Sequence, residues 1–153
     1  MSLGQIRVRL IAATLMITAT SALSADTVNP GPIPNESIRY EALPGSPPGV
    51  LSAVLSGDLS APGLYVLRNK WQPNSWMGPH EHGSAHRIYT VLEGEVYWGY
   101  GEKIEESKMV RLGPGSVAVT GPGLPPHYFR AGPEGMVVNV VAEGPFVTNM
   151  ISN

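Results

Sequence analysis

Three of the chain's four histidines fall within the stretch GPHEHGSAHRIYTVLEG, Gly78 to Gly94. Neutral imidazole is the commonest metal ligand in proteins, and a site needs three or four donors to converge. On an extended segment residues i and i+2 share a face, so His80 and His82 point together while Glu81 points away. An isolated His-x-His pair is weak evidence, because such pairs arise by chance and are often merely solvated. The fourth histidine strengthens it. His127 opens an apolar run directly after GPGLPP, so every histidine stands at one of two strand entries framed by glycine and proline. This distribution marks His80, His82, His86 and His127 as candidate ligands for a metal. Arg87 is an uneasy neighbour for such a site, since a guanidinium keeps its charge and repels a dication.

The elements that must position these residues are strands. From Ser37 onward, short runs rich in Val, Tyr, Ile and Thr alternate with Gly/Pro punctuation. The runs are Val50–Ser56, Gly63–Asn69, Arg87–Gly94, Glu95–Gly101, Lys108–Leu112, Ser116–Thr120, His127–Ala131, Met136–Ala142 and Phe146–Ile151. Regular spacing of such runs predicts an all-β sandwich or barrel. The segment Gly101–Val110 is the nearest to a helical pattern and reads better as a charged hairpin tip. Tryptophans and tyrosines on these runs read first as core or rim. Tyr89 and Tyr128 adjoin the histidine motifs and are also candidates to line a pocket, with Arg87.

The 153-residue chain contains no cysteine, which excludes disulfides, thiolate ligands and a cysteine nucleophile. Arg7 and Arg9 precede the apolar run Leu10–Leu23 and the small residues Ser24 and Ala25, the order of a secretory signal peptide. The run falls short of the roughly 20 apolar residues of a membrane span. The expected organisation is a signal peptide at 1–25, a proline-rich arm at 26–37 and one domain at 38–153, in a periplasmic or secreted protein with no stable membrane insertion. Without Arg7 and Arg9 the chain keeps 8 basic against 12 acidic residues, a net charge of −4. No basic stripe is present to bind nucleic acid. No P-loop, paired carboxylates or Ser-His-Asp order is present either.

The two histidine motifs give the chain a resemblance to the cupin superfamily, and within it to small exported RmlC-like jelly-roll proteins of a single domain. The first cupin motif sets an HxH before a glutamate and a glycine; His80, His82 and Gly94 match it. The second sets a glycine, a strand, a turn and a histidine; Gly115, Gly123 and His127 match it. The stretches from Gly99 to Tyr128 and from Val137 to Ser152 share the likeness. The resemblance implies a double-stranded β-helix, with His80, His82 and His127 as ligands of a divalent metal such as Fe, Mn or Zn. It also implies a small-molecule ligand or substrate, a metal-dependent oxygenase or isomerase among the activities, and a homodimer among the assemblies. The alternative function is a binding or sensor protein that holds a small anion at a degenerate metal site.

Departures from the pattern matter as much. The family's glutamate falls on Arg87 counting back from Gly94, or on His86 counting forward from His82. Neither is a carboxylate. Gly121 stands where a proline is usual, one extra residue precedes His127, and Ala131 replaces an asparagine. Three outcomes remain open from sequence: a three-histidine site, a four-histidine site that includes His86, or an Arg87 that keeps metal out and holds an anion. If Tyr89 and Val91 face the interior, strand parity turns Arg87 inward and His86 outward.

Overall fold

The structure is a computed structural model and describes residues 31–83 and 85–152. The expected signal peptide and the first part of the arm lie outside the described residues. Eight strands form one continuous antiparallel system: β1 (Val50–Ser56), β2 (Gly63–Trp71), β3 (Trp76–Glu81), β4 (Arg87–Tyr100), β5 (Val110–Leu112), β6 (Val117–Thr120), β7 (His127–Gly144) and β8 (Asn149–Met150). A short 3-10 turn at Asn35–Ser37 precedes them, and its Asn35 accepts a hydrogen bond from Arg68 (2.9 Å). A second turn at Glu106–Lys108 lies in the β4–β5 connection, the charged tip that composition suggested.

The long strands β4 and β7 are the frame. Each reads in sequence as two strands broken at glycine, yet each runs through and bends. They pair from Arg87↔Ala142 to Tyr100↔His127, with register shifts at Val91/Glu93 and Gly94/Val96. Gly94 has φ 67°, and a Cβ there would collide with the Gly135 carbonyl, so the bend requires glycine. On one side of the bend β7 pairs with β2, and on the other with β3. The two strands thus pass through both walls of the barrel.

Alternation fills the interior. Tyr65 and Leu67 on β2, Arg87, Tyr89 and Val91 on β4, and Ala118 and Thr120 on β6 are buried, whereas Ile88, Val117 and Val119 face outward. Strand β3 has no counterpart in the sequence reading. Gly78 and Pro79 interrupt its pattern, Pro79 cannot donate to the ladder, and the pairing with β7 shifts between Met77 and His80.

Candidate functional site

His80 ends β3 opposite His127, which begins β7, and His82 lies two residues on from His80. Period-two alternation therefore delivers His80 and His82 to the interior and leaves Glu81 exposed, as the HxH spacing predicts. All three imidazoles are buried, and one ring nitrogen from each lies within 4.8 Å of the others. Ring centroids are 4.0 Å apart for His80 and His127, 4.8 Å for His80 and His82, and 5.0 Å for His82 and His127.

The hydrogen bonds select the free nitrogens. His80 Nδ1–H donates to the Gly78 carbonyl (2.8 Å), and His82 Nδ1–H donates to the Val147 carbonyl (3.1 Å). Both Nε2 atoms then carry a lone pair. His82 Nε2 accepts the Tyr89 hydroxyl (2.8 Å), while buried His127 Nε2 has no partner. Burial holds all three rings neutral. It lowers His80 to about 4, with the charge of Arg87 adding to the effect. His82 falls to about 3 through burial, Arg87 and His80, and His127 to about 2 through burial, His80, His82 and Arg87. Neutral imidazoles are the form that ligates metal. Burial also raises the Tyr89 hydroxyl to about 12, so it stays a proton donor.

Arg87 points into the barrel, as parity predicts, and is 1% exposed. Its Nη2 donates to the Val147 carbonyl (2.7 Å), the same oxygen that receives His82. Its guanidinium lies 4.4 Å from the Phe146 ring centroid. A cavity of about 740 Å3 opens onto His80, His82, Arg87 and Tyr89, within the size range of small-molecule sites. Its remaining walls are mainly apolar, with Leu67, Trp71, Val91, Phe129, Val138 and Val140 among them.

The antiparallel arrangement, with histidines from two strand entries brought together beside the cavity, has counterparts among solved structures. The polyketide cyclase RemF from Streptomyces resistomycificus is 19% identical with a TM-score of 0.62, over 80% of this chain and 86% of that one. KdgF from a Halomonas species is 21% identical with a TM-score of 0.55, over 72% and 92%. A sugar phosphate isomerase of the cupin superfamily from Silicibacter pomeroyi is 16% identical with a TM-score of 0.58, over 74% and 76%. The chain has the cupin fold. No protein-family model and no curated protein matches it. At these identities the likeness is one of fold, and the chemistry must be read from this chain's own side chains.

Two residues expected near the site stand elsewhere. His86 is exposed and packs on Gly121, where a Cβ would come within 2.6 Å of its ring; it is not part of the cluster. It sits one residue from Arg87, so turning Arg87 inward turns His86 out. Tyr128 is fully buried, but beneath the β4–β5 connection. Its hydroxyl accepts the Glu105 N–H (2.9 Å), and its ring covers Gly99. Adjacent strand residues face opposite ways, so the inward His127 forces Tyr128 outward. Tyr89 lies in the cavity as expected.

Sequence reasoning missed two supports. Trp98 stacks on His127, with centroids 4.9 Å apart and planes 9° from parallel. Inward alternation from Val96 on β4 could have pointed to it. The Val147 carbonyl, which orients both His82 and Arg87, belongs to the backbone and leaves no trace in residue types.

Proposed function

We propose that this chain binds a divalent metal through His80, His82 and His127 and acts on a small organic molecule held in the adjoining cavity. The observation that carries the reading is the convergence of three buried, neutral imidazoles, two of them (His80 and His82) on the cavity wall, with His127 Nε2 lacking a partner among the described residues. An unpartnered buried nitrogen is costly, and a metal would satisfy it. Iron, manganese and zinc all suit imidazole donors. A bound metal would supply Lewis acidity, or oxygen chemistry if it is iron.

The chain's own residues divide the remaining work. The Gly78 and Val147 carbonyls hold the tautomers of His80 and His82. Trp98 fixes the plane of His127. Were His82 Nε2 to hold a metal, the Tyr89 hydroxyl that it now accepts would be free to donate a proton at the cavity wall. The apolar walls exclude water and select a substrate with an apolar body. RemF and the Silicibacter protein, named as a cyclase and an isomerase, support an isomerising or cyclising activity over simple storage. An oxygenase activity belongs to the same metal reading. Export to the periplasm, supported by Arg7, Arg9 and the apolar run after them, is part of the proposal and is read by intact mass of the mature protein.

Elemental analysis of the purified protein tests the metal site. The wild type is expected to carry stoichiometric divalent metal, and a His80→Ala/His127→Ala variant to carry none. Full metal content in that variant would end the reading.

A further inference from the structure

Among the described residues Arg87 is a buried cation with no ion-pair partner. Its contacts include the Val147 carbonyl, the Tyr89 hydroxyl and the face of Phe146, none of which carries a negative charge, and its Nε–H has no acceptor. No carboxylate lines the cavity that it faces. An uncompensated buried charge costs several kcal/mol, roughly what is lost when one partner of a buried ion pair is removed.

A second unsatisfied donor stands next to it. Tyr65 of β2 and Arg87 of β4 both pair with Ala142 of β7, from opposite sides. Residues directly paired across strands share a face, so both side chains turn inward with only a methyl group between them. The Tyr65 hydroxyl is buried and has no partner. Phe146 packs against both, 6.2 Å from the Tyr65 ring by centroids. A water would satisfy the hydroxyl but would leave the guanidinium charge whole. Of the two side chains only Arg87 lines the cavity, and a carboxylate there accepts from its N–H groups and matches its charge. The apolar walls beyond the corner then suit the rest of the molecule.

We propose that Arg87 anchors the carboxylate of a small organic acid whose apolar body fills the cavity beside the histidines. The inference rests on the small-molecule reading above and names the class of molecule. It does not require the metal, so the metal-free protein tests it. Formate, acetate and benzoate are compared with formamide, acetamide and benzamide at matched ionic strength, by thermal unfolding and by calorimetric titration. At least one carboxylate is expected to raise the Tm and to bind about tenfold or more tightly than its amide, the scale of a charge-assisted pair. Arg87→Gln should erase that preference, and Arg87→Lys should keep part of it. The proposal is overturned if no carboxylate stabilises the wild type, or if the preference survives in Arg87→Gln. Zinc binding is scored separately on the same proteins. A carboxylate preference without zinc binding would remove the metal reading alone, and zinc binding without the preference would remove this inference alone.

Discussion

Two corners of one cavity meet burial in opposite ways. At the β3–β7 corner, His80, His82 and His127 lose their charge when they are taken out of water. At the β2–β4 corner, Arg87 cannot do so, because no accessible pH deprotonates a guanidinium inside a protein. One desolvation penalty therefore produces a set of neutral lone pairs at one corner and a persistent positive charge at the other. The first invites a cation and the second an anion. Val147 joins them, since its single carbonyl accepts from both His82 and Arg87. Arg87, at a position where the resemblance to cupins sets a glutamate, thus gives the pocket a charge of the opposite sign.

The largest effect that could break this contrast is on stability against pH. The three histidines sit at about 4, 3 and 2 in the fold, against 6.5 when unfolded. Between those limits the unfolded chain binds protons that the folded chain does not. Their neutral burial is therefore free of penalty above pH 6.5, and stability falls as pH drops through 6.5 toward the folded values. For three such groups the loss from pH 7.5 to 5.5 is about 4 kcal/mol in the metal-free protein. Urea unfolding at both pH values measures it, with a His80→Gln/His82→Gln/His127→Gln variant as the control that should lose this slope. A wild-type stability unchanged across the interval would mean that the rings are charged in the fold.

A smaller effect sharpens the contrast from the other corner. Arg87→Glu removes the repulsion that Arg87 exerts on all three imidazoles and places a carboxylate where the resemblance sets one. Zinc, manganese and anaerobic ferrous titrations are expected to show affinity tighter by about tenfold or more, some 1.4 kcal/mol. The same variant should show a metal-dependent rise in Tm larger than that of the wild type. Unchanged affinity would place Arg87 outside the metal's electrostatic reach.

The smallest expected effect concerns His86. Its ring is exposed and outside the cluster. His86→Ala should change metal affinity by less than about twofold, as expected of a surface substitution. A loss comparable to that of His80→Ala would restore the four-histidine arrangement.

The sequence made parts of this legible and concealed others for physical reasons. Apolar runs bounded by glycine and proline located β1, β2, β5 and β6 closely, and in β2 and β6 buried residues alternate with more exposed ones. The same rule failed at β4 and β7. Gly94 and the Gly132–Gly135 segment look like chain reversals, but they are bends inside continuous strands. It failed again at β3, where Pro79 breaks the pattern beside the first ligand. Parity turned Arg87 inward correctly, and strict use of it at His127 would have sent Tyr128 outward. What sequence could not show was pairing between distant strands. Tyr65 and Arg87 are 22 positions apart and meet only because both flank Ala142.

The central claim is that burial leaves three neutral imidazoles with free nitrogens for a metal. Long-range proton–nitrogen NMR of the imidazole rings in the metal-free protein at pH 5.5 tests it most directly. The account predicts neutral rings for His80, His82 and His127, Nδ1–H tautomers for His80 and His82, and Nε2 resonances that shift when zinc is added. Protonated rings at that pH, or zinc shifts confined to His86, would contradict it.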